Sequence, residues 1–427
     1  MQPLTQARAV GAGSGRPRPA TPPRRPLGPA GSARADRPPA TTPPLQTPQA
    51  PWARGGAGGD DSISNRPPGI HTGRPVPPLI PARPAMPDVL PPLDASAPDP
   101  PPAAPRIRSR LDLDGFVGSH AARSFVAFVL SINEACKGMS GPPSDPPCPP
   151  GLASLTAHLN RLEQGLSDFP PDPHPARYGN PSFRRWHAWM AEGAVDAVRQ
   201  ALEAEPGAAA AGAGRWATEL AVYLRSSFGD PQRIDYGTGH ELNFVALLYG
   251  LARCGALGGS DSRAWAALGC FRSYLRVARA VQTAFWLEPA GSRGVWGLDD
   301  HQHLPFLWGS AQLVDHPSIR VADSMNPDVV RGHADASLYL EAVAHVLTVK
   351  KGPLHATSPV LHDVSGVSTW SKVNQARVGG LERSWSGPPG RPRCTRPLLA
   401  LPRPCPLLLP RPSPRLQPPG HGKDVDG

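Results

Sequence analysis

No two of the six cysteines, Cys136, Cys148, Cys254, Cys270, Cys394 and Cys405, are spaced as CxxC. That excludes the common zinc-ribbon and redox patterns and fits free thiols in a reducing compartment. No apolar run approaches the roughly 20 residues that span a bilayer, and none follows Met1, so neither a membrane span nor a secretory signal is expected. The alternation of apolar and polar residues that marks strands is missing. The GxxxxGK[ST] phosphate loop does not occur in the central part of the chain. No aromatic–basic alternation supports specific nucleic-acid recognition.

What is abundant is proline, and it is unevenly placed. Of 59 prolines in 427 residues, 28 lie in residues 1–105 and 12 in residues 388–427. Such aromatic-poor ends cannot bury enough apolar surface to offset their chain entropy, so both are expected to be disordered. The formal charge of +10 owes much to arginines in these ends, among them Arg16, Arg18, Arg24, Arg25, Arg391, Arg393 and Arg396. They read first as solvated tails and secondly as weak polyanion binders. The first acid is Asp36, and this acid-poor start fits an organelle transit peptide and plain low complexity equally well. The middle, about Ile107 to Asn374, is long enough for one or two domains with a sizeable core.

Helical periodicity dominates that middle. Phe125, Phe128, Val129 and Ile132 repeat at spacings of three and four. A helix start at Asn180-Pro181-Ser182 precedes an aromatic stripe of Phe183, Trp186, Trp189 and Met190, expected in the core. Gly229 is expected to cap the helix of "GRWATELAVYLRSSFG". Further helices are expected in "ELNFVALLYGLARCGAL", "AWAALGCFRSYLRVARAVQTAFWL" and "HADASLYLEAVAHVLTVKK", the last with a cationic end. The reading is all-α, with polar motifs on loops.

The densest polar stretch is "RIDYGTGHELNF", Arg233 to Phe244. A zincin is excluded because the position four after His240 is Phe244. A dinucleotide loop is excluded because Leu242 stands where the third glycine belongs. Two readings remain. In one, Gly237 and Gly239 open the backbone to an anion at a helix N-terminus, aided by Thr238 and Arg233. In the other, the stretch is a capped helix start with Arg233 paired to Asp235 or Glu241. In "GVWGLDDHQHLP", adjacent Asp299 and Asp300 should diverge, so one carboxylate at most serves a given hard cation. His301 and His303 invite a transition-metal reading but lack a third spaced ligand. His355, Ser358, His362 and Asp363 have hydrolase residue types without a nucleophile elbow.

Together, "YGNPSFRRWH", "RIDYGTGHELNF", "GVWGLDDHQHLPFLWGSAQLVDHPSI" and "GPLHATSPVLHDVSGVSTWSKVN" resemble, in this order, the protein phosphatase 2A activator family, also called the phosphotyrosyl phosphatase activator (PTPA) family. The resemblance covers about Phe116 to Asn374. It implies an all-α PTPA-type fold of core, linker and lid subdomains over residues 106–375. It implies an activator and chaperone of the phosphatase 2A catalytic subunit, including its scaffold-bound core enzyme. It also implies use of ATP and magnesium at a composite site, and a peptidyl-prolyl cis/trans isomerase activity on a proline-containing peptide segment. A cytoplasmic and nuclear location goes with that role.

By motif, the ATP contacts fall on Arg233, Thr238 and Gly239, and the magnesium contacts on the Gly294 carbonyl and Asp300. Asp235, Tyr236, Glu241, Trp296 and Asp299 are supporting candidates. An isomerase needs no nucleophile, only a slot for a twisted amide, with Trp296 or Trp308 as candidate walls; catalytic residues are unassigned. Two departures stand out. Histidines occupy 301 and 303, where the family commonly has phenylalanine. After "WSKVNQ" the text becomes proline-punctuated, which predicts that an altered frame or read-through over residues 376–427 replaces the family's C-terminal helix. The competing expectation is then a binding-only chain.

Overall fold

The computed structural model describes residues 107–386, apart from 108, 118, 174–178, 258–259 and 292. The proline-rich ends expected to be disordered, residues 1–105 and 388–427, lie outside the described residues, as does Tyr178 of the first motif.

Helices α1 (Arg110–Val117) and α2 (His120–Ala135) come first. Ser119 caps α2, its Oγ accepting the Ala122 amide at 3.1 Å. The stripe Phe125, Phe128, Val129 and Ile132 is buried as its spacing predicts. Helix α3 (Pro150–Gln164) starts with proline in its first turn, where no amide is needed. Helix α4 (Ser182–Ala204) buries Phe183, Trp186 and Met190. Trp189, expected with them, is 37% exposed. Six residues beyond Phe183 it points away from the face that positions 183, 186 and 190 share.

Next come α5 (Pro206–Ala210) and α6 (Ala217–Arg225). The expected cap at Gly229 is displaced: Ser226 caps α6, and Gly229 belongs to the following turn. Helix α7 (Thr238–Arg253) is buried almost all round. Helix α8 (Ser260–Ala264) passes through a π-helical turn, Trp265–Phe271, into α9 (Arg272–Phe285). A single two-residue parallel pair, β1 (Asp235–Tyr236) with β2 (Glu288–Pro289), is the sheet among the described residues. It is too short for any periodicity to announce.

The remaining helices are α10 (Leu304–Gln312), α11 (Pro327–Gly332), α12 (Leu338–Val349), α13 (Leu354–Thr357), α14 (Pro359–Val364) and α15 (Trp370–Ser386). Helix α15 corrects the expected break after Gln375. Residues 376–386 contain no proline, so nothing stops the helix before Gly387-Pro388. It packs Val373 and Leu381 into the interior.

Two apolar clusters form. The larger joins residues of α1–α7 and α9 with Leu338 of α12 and Leu381 of α15, and the smaller joins α11, α12, α14 and α15. Helix α10 serves both, sending Leu307 and Trp308 into the first and Phe306 into the second. Its closeness to α12 depends on Gly309, where a Cβ would stand 2.0 Å from the Tyr339 amide nitrogen. Inside, Asn133 of α2 and Asn374 of α15 exchange amide bonds of 3.1 and 2.8 Å. Asn374 Nδ2 also donates to the Leu307 carbonyl at 2.9 Å, so three helices share one buried polar node.

Gly309→Ala forces α10 off α12 and is expected to cost roughly 2–4 kcal/mol. Gly141→Ala, with nothing within 4 Å, should be close to neutral. Denaturant midpoints of the two variants check this.

Candidate functional site

The stretch from Arg233 begins inside a turn. Asp230 Oδ1 accepts the amides of Gln232 (2.8 Å) and Arg233 (3.0 Å). The chain reverses and Ile234 takes φ 53°, a conformation that costs a β-branched residue on the order of 1–2 kcal/mol. Burial holds it there: Ile234 packs on Gly179 of the first motif, where a Cβ would lie 2.5 Å from Ile234 Cγ2.

Asp235 and Tyr236 then pair with β2. Glu288 N donates to Ile234 O at 3.0 Å and Ala290 N to Tyr236 O at 2.7 Å. Gly237 is extended at φ −163° and sits against Ala290; a Cβ there would be 2.9 Å from the Ala290 Cβ. The glycine thus serves the close approach of two loops.

Helix α7 starts at this junction. Thr238 is half-buried and Gly239 buried. Arg233 bonds Asp235 (2.7 Å) and Asp230 (2.9 Å) while its side chain stays 61% exposed. The pairing is with Asp235, as one sequence reading expected; Glu241 is elsewhere. Its carboxylate turns inward and accepts Gln302 Nε2 at 2.5 Å. Burial pushes the Glu241 carboxyl up to about 7, against the opposing pull of Gln302, Arg279 and the Leu304 amide. Tyr274 donates to the Ser227 carbonyl at 2.8 Å, so the 2.8 Å contact between the two phenols has Tyr236 as donor.

The third motif opens with Gly294 at φ 53°, with nothing within 4 Å of a would-be Cβ, and a 3₁₀ turn, Gly294–Leu298. Val295 and Trp296 are exposed, Trp296 at 48%. The adjacent acids diverge as expected, and both are buried. Asp299 accepts Ser358 Oγ at 2.6 Å and the Lys350 ammonium. Asp300 accepts the Val360 (3.2 Å) and Leu361 (2.9 Å) amides, capping the first turn of α14. Motif one therefore touches motif two at Gly179–Ile234. Motif two meets motif three at Glu241–Gln302 and the chain just before it at Gly237–Ala290, and motif three meets motif four at Asp299 and Asp300.

Several sequence readings change here. Trp308 is no slot wall; it is fully buried, its Nε1 donating to the Val129 carbonyl at 3.1 Å. Ser358 spends its proton on Asp299, and His362 with Asp363 is a surface pair at 3.7 Å, so no triad forms. Among the described residues no group of three or more His, Cys, Asp and Glu is placed to hold a metal ion. Lys350 and Gln302 escaped the sequence reading. A buried acid demands a donor, but only the fold shows which polar residue answers it.

Residues 103–383 match the family model described as "Phosphotyrosyl phosphate activator (PTPA) protein". Serine/threonine-protein phosphatase 2A activator 2 of Eremothecium gossypii is 38% identical over 283 residues, covering 65% of this chain and 76% of that protein. Activator 1 of Schizosaccharomyces pombe is 40% identical over 230 residues, 53% of this chain and 68% of that one. The crystal structure of the PP2A phosphatase activator Ypa1 superposes with a TM-score of 0.57 at 29% identity, covering 65% of this chain and 87% of that chain.

The raised Glu241 carboxyl makes stability depend on pH. The fold holds this proton more tightly than the unfolded chain, so stability is lost as pH rises from 4.5 to about 7. Glu241→Gln removes the penalty. It is expected to raise stability at pH 8 by roughly 1–3 kcal/mol, with the gain vanishing below pH 4.5. Paired denaturation curves at pH 4 and pH 8 check it.

Proposed function

The chain belongs to the phosphotyrosyl phosphatase activator family, and on that premise we propose that it activates serine/threonine protein phosphatase 2A. The convergence of the four motifs on the start of α7 and the 294–300 turn supports this most. We further propose that the catalytic subunit, alone or in its scaffold-bound core enzyme, docks over this region, with ATP and magnesium held at the shared surface.

The residues fit such a group. Arg233 is tied only by surface ion pairs, which are weak enough for phosphate oxygens to displace. Thr238 and Gly239 sit at a helix N-terminus, whose amides favour an anion. Each Asp300 oxygen accepts one amide, leaving it a lone pair for a hard cation, and the Gly294 carbonyl would be the second ligand. A bound magnesium ion would screen the phosphate charge where the two proteins meet. Asp235 and Asp299 act as positioning groups, holding Arg233 and the 350–358 loop.

Peptidyl-prolyl isomerisation is proposed on the exposed Val295–Trp296 surface. An apolar face there would favour the twisted amide against a barrier of about 18–20 kcal/mol. The binding-only alternative rested on a missing C-terminal helix, and α15 supplies helix as far as Ser386.

Mixing the chain with metal-free phosphatase 2A catalytic subunit is expected to restore phosphatase activity in an ATP–magnesium-dependent way. Arg233→Ala and Asp300→Asn should each lose at least about tenfold of that dependence while still binding the phosphatase. They should also lose the rise in melting temperature that ATP–magnesium gives the chain. Reactivation unchanged in both variants would remove these residues from the site. Binding with no reactivation by the unaltered chain would establish the binding-only reading.

A further inference from the structure

Between α3 and α4 lies a cavity of ≈ 380 Å³, lined by none of the residues discussed above as site groups. That is the size range of ligand pockets. His158 lines it and is only 7% exposed. Arg161 Nη2 stands 3.4 Å from His158 Nδ1. A guanidinium only donates, so Nδ1 is the acceptor and the ring proton sits on Nε2. Burial, reinforced by Arg161, lowers the imidazole to about 4 and keeps it neutral. Nε2 is buried and has no hydrogen-bond partner. Its ring faces Gly193 of α4, where a Cβ would be 3.9 Å from His158 Cε1. His158 thus borders the cavity with a buried, unpartnered donor.

The rest of the lining says what the acceptor belongs to. Leu162, Met190 and Ala197 form an apolar floor. Trp189 offers part of its ring, fixed by Gly165, where a Cβ would be 2.4 Å from it, and by Phe169 at 5.6 Å. On the rim, Glu192 has no ion pair among the described residues, and Asp196 is held only by the exposed Arg199. A rigid aromatic plate, a donor and acids match an arginine-bearing polyproline segment, whose carbonyls make no internal hydrogen bonds.

We propose that this cavity docks the chain's own residues 396–412, RPLLALPRPCPLLLPRP. That segment carries Arg396, Arg403 and Arg411 and no acid, complementing the rim. It also supplies aliphatic side chains for the floor: residues 387–427 hold seven leucines, against six in the whole of 1–105. The ten residues from 387 to 396 extend to about 33 Å. A domain of this size has a radius of gyration of roughly 19 Å. Carried on to Leu408, the stretch after Ser386 extends to roughly 73 Å, against a diameter of roughly 49 Å for a sphere of that radius of gyration, so the segment can reach α3 and α4.

A photo-cross-linking p-benzoylphenylalanine at Leu408 in the full chain tests this. Cross-links should concentrate on residues 158–200 within the same molecule. They should fall at least about fivefold in Trp189→Ala and in the double variant Glu192→Lys, Asp196→Lys. Both variants must keep the melting temperature of the parent, and either alone suffices. The same cross-linker at Leu45 should show no such concentration. Cross-links spread over the surface, or unchanged in the variants, would overturn the proposal. So would cross-links formed between isotopically distinct copies, which would assign the cavity to a second molecule.

Discussion

Adjacent carboxylates can be buried together only if each finds donors of its own. Asp299 and Asp300 meet that condition by turning apart, one to an ammonium and a hydroxyl, the other to two helix amides. Stripping either of its partners would strand a buried charge, at a cost of about 3–5 kcal/mol. Everything between Lys350 and Leu361 is placed by this requirement. Two residues on, Gln302 reaches the other way to Glu241 in the first turn of α7. A stretch of four residues therefore fixes the start of one helix, the start of another and the loop between α12 and α14. The open turn at Gly294 and the exposed Arg233 are suspended from that frame.

How much of this was legible beforehand depended on range. The stripe of α2 and the core face of α4 followed from spacing alone, because a helix converts i, i+3 and i+4 into one face. Trp189 failed because a stripe counted by residue type ignored its angle. The divergence of Asp299 and Asp300 followed from elementary backbone geometry. Their partners did not, since Lys350 and Ser358 lie 51 and 59 positions away and nothing local links them. Gly237 and Gly239 looked like one loop element. The fold separates them, giving Gly237 to the contact with Ala290 and Gly239 to α7. Residue type announced chemistry, but assignment of a glycine to packing or to an anion needs its neighbours.

The two stretches that the resemblance set apart, His301–His303 and the residues after Gln375, lie far apart in the sequence. In the fold they meet. The Gly380 Cβ position is 3.9 Å from His303 Cε1, and Arg377 lies over the Phe306 ring at 5.1 Å. His303 is lowered to about 3 by burial and by Arg377, and its Nε2 has no partner. The neutral imidazole tolerates a neighbouring cation that an imidazolium would repel. Residues 377–380 of α15 and the start of α10 therefore share one environment beside Asp300.

The π-helical turn between α8 and α9 carries a consequence of another kind. One residue more per turn rotates everything that follows by about 100° around the axis, with little change in direction. The rod thus behaves as a vernier. The half that follows, α9, presents Tyr274, Leu275, Val277, Ala278 and Val281 to the interior at the azimuth this turn sets. A one-residue deletion within Trp265–Phe271 would leave a regular helix whose far half points Tyr274 and Arg279 at the wrong partners.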